Sequence, residues 1–369
     1  MRNAIEASGP RIIVFEVGGV IDLQGLILDI RNPHITIAGQ TAPSPGITLI
    51  KGGIQTYTHD IIIQHLRIRP GTEGGNSIDA LETQRGSYDI IVDHCSFSWG
   101  TDETLSAAGW GFAGSNLQQW REATSHRITF SNNIVSESLN TNGTSYGSLM
   151  EDNATQILLY GNYYAHHLER SPNFGGGTQG AVINNLIYNP GQKFVDYTFA
   201  NWKWDREGGG ARVNGIITAI GNIGRGGPST RANAFFETVS NGDVEYFGAD
   251  NWATRFDGSP YPELRESTFL NNPQGRILIQ SAPTMMPPGV SPMPSSQVEA
   301  YVHRSVGARP WDRDAIDTRV LDDHSSRSGA LISSQYQVEG YPAPASTARP
   351  FDPAQWDLNT MTPRSSAAL

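Results

Sequence analysis

The amino-acid sequence predicts an all-β solenoid, in which short strands wind into stacked coils. Glycine occurs 40 times and only 17% of the residues are charged, which suits a turn-rich globular fold. One pattern, an apolar run followed by a polar residue and then alternating apolar residues, recurs along most of the chain. Alternation with a period of two is typical of strands, and repeats of a few tens of residues are typical of solenoids.

The repeat can be followed in order along the chain. The first four strands are expected over residues 11–17, 20–23, 34–40 and 47–50. From there the copies align on one polar position, with intervals of 25, 29, 39, 29, 23, 37 and 29 residues: Gln40, His65, His94, Asn133, Asn162, Asn185, Asn222 and Asn251. In stacked coils these side chains are expected to hydrogen-bond to their equivalents one coil away. The two longest intervals are interpreted as coils that carry looped-out insertions.

The repeated pattern is expected to end near residue 255, so the repeat core is predicted over about 11–255. The tail, about 256–369, contains a loop rich in proline and methionine, two segments with helical spacing and a proline-rich end. A tail without its own core is expected to pack back along the solenoid and cover an edge. The whole chain is therefore interpreted as one domain, with a β-sandwich or a propeller as the alternative.

Composition excludes several classes of function. A net charge of −10 argues against a nucleic-acid partner, because phosphate binding needs a basic surface. No apolar run of about 18 residues is present, so no membrane span is expected. Cys95 is the one cysteine; it excludes an internal disulfide and is expected to be an inert core thiol. The first residues lead directly into a folded segment, and no signal peptide is expected.

Six motifs, in order along the chain, resemble the pectate lyases of polysaccharide lyase family 1. They occupy residues 6–15, 37–43, 66–71, 92–103, 170–172 and 307–315. The resemblance covers nearly the whole chain. It implies a right-handed parallel β-helix with long loop insertions and a tail packed along it. It also implies calcium-dependent β-elimination of polygalacturonate to unsaturated oligogalacturonates by a monomeric enzyme. Secretion is inferred from where that substrate lies.

The chain departs from the family pattern at three places. The family motif Arg-x-Pro-x-x-Arg begins at Arg170, but its second arginine position is Gly175. A lysine that the family often places one coil earlier is absent from residues 144–149. The calcium-binding motif Asp-x-x-x-Asp begins at Asp102 and ends at Ser106. The first two departures give weight to a non-catalytic carbohydrate-binding or tail-spike-like β-helix.

Asp79, Asp102 and Glu103 are the predicted calcium ligands. They lie at expected strand ends on adjacent coils, so stacking should bring Asp79 near Asp102 despite their separation in sequence. Calcium prefers several hard oxygen ligands, and carboxylates supply them. The alternative is that all three are ordinary turn acids. A hydrolase with Asp102 and Glu103 as its acid and base, about 5 to 10 Å apart, is a further alternative.

Arg170 is the predicted base that removes the proton next to the substrate carboxylate, with a surface ion pair to Glu169 as the alternative. A guanidinium titrates above about 12, so its neutral form is scarce and alkaline pH should favour the reaction. At about 4.8 Å per coil, Arg170 is expected some 10 to 15 Å from the calcium acids. The residues expected to contact substrate are Tyr146, His167, Lys203 and Trp202.

Overall fold

The computed structural model describes residues 1–141, 143–267 and 274–365. Within these residues the chain forms a stack of three-stranded coils, and each coil contributes one strand to each of three parallel sheets. A parallel β-helix is the architecture that the sequence predicts. Helices occupy Arg2–Glu6, Leu117–Glu122, Asn201–Glu207, Val298–Ser305 and Ala315–Ser326. Turns of 3-10 helix occupy Gly39–Thr41, Ser295–Gln297, Gln335–Gln337 and Pro353–Gln355.

The three sheets are defined by their strands. The first sheet comprises Arg11–Ile13, Ile35–Ala38, His59–Gln64, Tyr88–Asp93, His126–Ser131, Thr155–Tyr160, Gln179–Ile183, Gly215–Ile220, Val244–Ala249 and Ile277–Ile279. The second comprises Val17–Asp22, Ile47–Ile50, Leu66–Arg69, Ser96–Ser98, Ile134–Ser136, Tyr163–Ala165, Leu186–Tyr188, Ile223–Arg225 and Trp252–Thr254, with Thr347–Ala348 antiparallel at its edge. The third comprises Ile27–Ile30, Gly53–Thr56, Leu81–Thr83, Leu105–Ala107, Leu149–Met150, Asn173–Gly175, Val195–Phe199, Phe236–Ser240 and Leu264–Ser267. A short antiparallel pair, Trp356–Asp357 with Thr362–Pro363, lies apart from them.

The interior of the solenoid is made of apolar columns that run from coil to coil. In the first sheet Val92 pairs with Ile63 on one side and Phe130 on the other, and Phe130 pairs with Leu159. All four side chains are fully buried. Because alternate residues of a strand point to opposite sides, every second residue enters this core. Burial of these columns is the main force that stacks the coils.

An asparagine ladder fixes the turn between the first and second sheets. The side-chain nitrogen of Asn133 donates to Oδ1 of Asn162 at 3.1 Å, and Asn162 donates to Asn185 at 3.0 Å. Asn185 and Asn222 continue the ladder at 3.1 and 2.8 Å, ending on Asn251. Each accepting oxygen also receives a backbone N–H of the preceding coil. This is the coil-to-coil bonding that the sequence predicts.

The prediction that His65 and His94 share the ladder position is wrong by one residue. Asp93 pairs with Ser131, so the ladder position of that coil is Cys95, whose backbone N–H donates to Oδ1 of Asn133 at 2.8 Å. The two histidines precede it and stack on each other, with ring centroids 5.2 Å apart. The sequence pattern tolerates this shift, because a polar residue follows an apolar strand in either register. Cys95 is buried, as expected.

The solenoid extends beyond the predicted end of its repeat near residue 255. Leu264–Ser267 adds a ninth strand to the third sheet, and Ile277–Ile279 adds a tenth to the first. These strands are short and partly exposed. Leu264–Ser267 closes the coil that contains Asn251, but no ladder asparagine follows Ile277–Ile279 within the described residues, so the polar signal that marks the earlier coils is missing there.

The tail packs along the second sheet. Val298, Val302 and Val306 are buried against solenoid residues that include Tyr163 and Leu186. This contact confirms the prediction that the tail covers one side of the solenoid. None of the helices in the described part of the chain is long and apolar enough to span a membrane.

A buried ion-pair cluster joins the tail to the third coil. Arg67 and Arg69 are almost fully buried in the second sheet. Arg69 contacts Asp314 at 2.6 Å and Asp317 at 2.9 Å, and Arg67 lies 3.4 Å from Asp317. The Asp314 carboxylate also caps Ala315–Ser326 by accepting the backbone N–H of Asp317. Buried charges are tolerated when they are paired in this way, and removing one partner is costly.

Candidate active site

The predicted site residues meet where loops connect the second sheet to the third. Asp79, Asp102, Tyr146 and Arg170 lie in these loops on four successive coils. The loops are stacked by backbone hydrogen bonds, such as the one from the Ser148 N–H to the Arg170 carbonyl at 2.6 Å. The stacking explains how residues far apart in sequence form one site.

Three carboxylates lie close together in these loops between the second and third sheets, which form one edge of the solenoid. One oxygen from each of Asp79, Asp102 and Glu103 lies within 4.8 Å of the others. Oδ2 of Asp79 is buried and has no hydrogen-bond partner among the described residues. Burial, together with the nearby Glu82 carboxylate, raises the pKa of Asp79 well above its usual value, although a hydrogen bond with Ser106 opposes the shift. Burial also raises the pKa of Asp102.

The three carboxylates have more oxygen atoms than there are hydrogen-bond donors around them, and a hard cation would bind to the remaining oxygens. Clustered carboxylates repel one another, and a divalent ion bound by several oxygens removes that repulsion. The orphaned Asp79 oxygen is the observation that fits such an ion. Ser106, which replaces the second aspartate of the family motif, lies close enough to hydrogen-bond to Asp79.

The side chain of Arg170 extends past the coil that carries Tyr146 and contacts Glu103, one of the three carboxylates. Its guanidinium forms an ion pair with the carboxylate of Glu103 and lies 3.8 Å from the centre of the Tyr146 ring. Burial lowers the pKa of Arg170, because a charged group is disfavoured away from water. The coil count agrees with the sequence prediction, but the expected separation of 10 to 15 Å is wrong. The expectation counted backbone spacing and neglected the length of the arginine side chain.

The position of the second family arginine has no room for a side chain. A Cβ atom on Gly175 would lie 2.7 Å from the backbone nitrogen of Asp152. A different cation is present on the following coil: the ammonium of Lys193 lies 3.5 Å from Glu169 and 3.7 Å from Asp196. Although burial favours the neutral amine, the two carboxylates raise the pKa of Lys193. The site therefore keeps a second positive charge from another source.

The sequence does not single out two acids that belong to this edge. Glu82 pairs with Ser106 in the third sheet, and Asp196 pairs with Asn173. Each lies inside a strand of the third sheet, where an outward-facing acid is ordinary. The signal that finds them is sheet register: once the coils are aligned, both fall on the same outward column as Ser106.

Lys203 and Trp202 lie at the opposite edge of the third sheet, on the helix Asn201–Glu207. The Lys203 ammonium is 2.6 Å from both Glu151 and Asp152. Trp202 is 61% exposed, so its ring is accessible to a ligand. The structure does not place either residue in contact with Arg170 or with the three carboxylates.

The prediction that His167 contacts substrate is wrong, because its side chain is fully buried. Nε2 donates to the carbonyl of Val135 at 2.9 Å, and Nδ1 lies 2.6 Å from the Ser138 hydroxyl. Burial lowers the pKa of His167 to about 3, so the ring is neutral. Its partners come from the preceding coil, and the local sequence contains no sign of them.

Comparison with known proteins confirms the resemblance seen in the motifs. Probable pectate lyase C of Aspergillus fumigatus is 30% identical over 351 residues, covering 92% of this chain and 73% of that protein. The corresponding protein of Emericella nidulans is 31% identical over 349 residues, covering 92% and 72%. No family model matches the chain.

A solved structure supports the fold. A polygalacturonate lyase fused to a self-assembling amphipathic peptide aligns with a TM-score of 0.50 at 16% identity, covering 77% of this chain and 69% of that one. At that identity the likeness shows the parallel β-helix alone. The sequence relatives go further, and by its similarity to them the chain belongs to the pectate lyase family, a family of polysaccharide lyases.

Proposed function

We propose that this protein cleaves α-1,4-linked polygalacturonate by calcium-dependent β-elimination and releases unsaturated oligogalacturonates. The observation that carries the proposal is the cluster of Asp79, Asp102 and Glu103 within 4.8 Å, directly beside the guanidinium of Arg170. A carboxylate cluster and a strong base in contact are what this elimination requires.

Asp79, Asp102 and Glu103 would hold the calcium ion. When bound, calcium supplies positive charge that neutralises the substrate carboxylate and makes the neighbouring C–H proton more acidic. The three carboxylates orient that charge towards Arg170. Glu103 pairs with Arg170 in this structure, and carboxylate oxygens engaged by a cation would weaken that pair and leave the guanidinium available for substrate.

Arg170 would take the proton from C5 of the sugar. The electron pair of that C–H bond forms a double bond between C4 and C5, and the bond from C4 to the bridging oxygen breaks. The departing oxygen gains a proton from water, so one chain becomes two. Only the neutral guanidine can accept the proton. Burial, which lowers the pKa of Arg170, increases that neutral fraction.

Three further residues are proposed to contact the polysaccharide. Tyr146 supports the Arg170 guanidinium at 3.8 Å and would hold it over the sugar. Trp202, which is exposed, would stack on a sugar ring at the other edge of the third sheet. Lys203, already paired with two acids, would bind a substrate carboxylate only by exchanging one of them. Membership of polysaccharide lyase family 1, secretion and a monomeric state complete the proposal.

A hydrolase on the same fold is disfavoured by the same geometry. Acid and base carboxyl groups stand about 6.5 to 9.5 Å apart in inverting glycosidases and about 5 to 5.5 Å apart in retaining ones, whereas oxygens of Asp102 and Glu103 lie within 4.8 Å. Glu103 is also paired with Arg170, which opposes its service as an acid. The non-catalytic binding protein remains the competing function, because of the glycine at position 175.

One assay tests the proposal. Polygalacturonate is incubated with the protein, with calcium or with a chelator, and ultraviolet absorbance of the new double bond is followed. We expect absorbance to rise only with calcium, and Asp102→Asn to abolish the rise. Asp29→Asn is the matched control, because Asp29 is an acid of the third sheet that lies away from the cluster and is paired with Arg31. Reducing ends without absorbance would indicate a hydrolase, and no product would indicate a binding protein.

A further inference from the structure

A separate pocket of about 490 Å³ lies between the solenoid and its tail. The solenoid side contributes Tyr188, Arg225 and Arg255, and the tail contributes His324 and Arg327. Tyr188 and Arg225 belong to the second sheet, whereas the acid cluster and Arg170 lie on loops that lead to the third. The pocket is therefore distinct from the candidate active site.

Three arginines in this pocket are held in place by aromatic rings. The guanidinium of Arg225 lies 4.3 Å from the centre of the Trp252 ring. Arg255 lies 4.3 Å from the Tyr261 ring and Arg327 lies 4.8 Å from the Phe256 ring. Stacking on a ring restrains the planar guanidinium and leaves its edges open to hydrogen bonding. Nη1 of Arg225 donates to the Thr254 hydroxyl and Nη1 of Arg255 to the Pro260 carbonyl, and each guanidinium has further N–H donors.

Their charge is only partly neutralised. Arg225 pairs with Glu299 at 2.6 Å, and this is the single acid that lines the pocket within the described residues. Neither Arg255 nor Arg327 forms an ion pair with any described residue; the nearby carboxylate of Asp257 accepts hydrogen bonds from Ser259. Two unpaired guanidiniums converge in a chain whose net charge is −10. Such a local reversal of sign attracts anions.

We propose that this pocket binds a sugar acid, a saccharide with a free carboxylate, at a site separate from the catalytic edge. Guanidinium forks match the two oxygens of a carboxylate. The volume suits a ligand larger than a bare inorganic anion, since small-molecule sites span about 300 to 1,000 Å³. The ring-stacked arginines provide flat walls for a sugar ring. Inorganic phosphate shares the anionic chemistry but would leave most of the space unfilled.

The anion site rests on the pocket alone, whereas the choice of a uronic acid rests on the proposed function. A bound ligand would touch both the second sheet and the helix Ala315–Ser326. It would therefore bridge the solenoid and the tail. Because a ligand that binds only the folded state stabilises it by mass action, occupancy should raise the melting temperature.

Calorimetry tests this proposal with the full-length protein. The parent carries Arg170→Ala and is kept in chelator, so that catalysis and calcium binding do not contribute. Galacturonate, glucose and inorganic phosphate are titrated separately. We expect galacturonate to bind, glucose not to bind, and Arg255→Gln with Arg327→Gln to weaken galacturonate at least tenfold. Arg127→Gln is the control, because Arg127 is an exposed arginine stacked on the Tyr88 ring in the first sheet, away from both sites.

Melting temperatures show whether the pocket variants fold. If the double variant does not fold, the single variant Arg327→Gln, at an exposed position, takes its place with an expected loss of at least threefold. Galacturonate affinity unchanged by these substitutions, binding of phosphate alone, or no binding of any anion would each overturn the proposal. The absorbance assay on the unmodified enzyme is independent, so failure here leaves the lyase proposal untouched.

Discussion

Each coil has two kinds of connection that affect stability in opposite ways: the asparagine turn between the first and second sheets, and the acidic loop between the second and third sheets. At the turn between the first and second sheets, the ladder asparagines are buried and each amide is bonded to the next coil. At the loops between the second and third sheets, Asp79 keeps an unpaired buried oxygen among three carboxylates. The first edge lowers the free energy of the fold, and the second raises it. A solenoid can carry a strained functional edge because its stability is supplied elsewhere in each coil.

The lengths of the two connections explain the contrast. Within one coil, Asn132 and Asn133 alone join the first strand to the second, whereas residues 137–148 join the second to the third. A two-residue turn must repeat closely for the coils to stack. A long loop is free to vary in sequence and to project side chains such as Tyr146 away from the core. Function in this molecule is therefore concentrated on the variable edge.

The largest effect should come from the functional edge. Arg170→Lys is expected to lower kcat by about 100-fold or more, because a base contributes roughly 10²- to 10⁴-fold and the ammonium lacks the reach and planar fork. Oligogalacturonate affinity should change little. Steady-state kinetics beside a binding titration would show this split. Arg127→Lys, in an exposed pair with Asp89, is the control, and a kcat near the parental value for Arg170→Lys would exclude it as the base.

The pH dependence should follow the same residue. The reactive form of Arg170 is neutral, and burial lowers the pKa of its guanidinium. Below that pKa, the neutral fraction rises about tenfold per pH unit. We expect kcat/KM at saturating calcium to rise with pH over the neutral and alkaline range. Rates measured in matched buffers would test it, and a profile that falls over this range would contradict the assignment.

A substitution in the asparagine ladder should lower the stability of the fold and leave kcat unchanged. Asn162→Ala removes side-chain donors and an acceptor that two neighbouring coils use, and should cost about 1 to 3 kcal/mol. Thermal unfolding should show a clearly lower Tm, while kcat at 25 °C stays near the parental value. Asn3→Ala, at an exposed position, provides the reference. Equal Tm values for both variants would remove the ladder as a source of stability.

Asp79→Asn should change the melting temperature in opposite directions without and with calcium, because the Asp79 carboxylate destabilises the fold unless a cation is bound. The folded-state pKa of Asp79 is raised by burial, so in chelator stability is lost as pH rises from the unfolded value through the folded one. Removing this charge should raise Tm at neutral pH in chelator, by about 2 °C per kcal/mol recovered. It should also abolish the Tm increase that we expect calcium to give the parent. A lower Tm in chelator would show that the carboxylate stabilises the fold.

The smallest effect is expected at Trp202. Its exposed ring lies away from Arg170, so Trp202→Ala should raise KM for the polymer about three- to fivefold, equivalent to ~1 kcal/mol of lost contact. The value of kcat should not change. Ile279→Ala, also at an exposed apolar position, is the control for non-specific loss. An unaltered KM would confine the substrate to the loops around Arg170.

The repeat in the sequence predicted which residues lie on neighbouring coils. It did not predict which side chains contact each other between coils. The stacking of Asp79 on Asp102 follows from counting coils. The contact of Arg170 with Glu103 does not, because it depends on how far one side chain extends. His167 reads as an accessible polar residue until Ser138 and Val135 of the preceding coil close over it. The one-residue shift at His94 was missed because a polar residue follows the apolar strand in either register.

The ion pairs of Arg67 and Arg69 with Asp314 and Asp317 determine the order in which parts of this chain can fold during synthesis. The coil that carries Asp79 also carries these two buried guanidiniums, and their carboxylate partners are some 245 residues further along. During synthesis from the N-terminus, that coil emerges long before its counter-charges do. Two uncompensated buried cations oppose its closure, at several kcal/mol each. That coil therefore closes fully only after residues 314–317 have been synthesised, which couples the candidate site to a segment far along the chain.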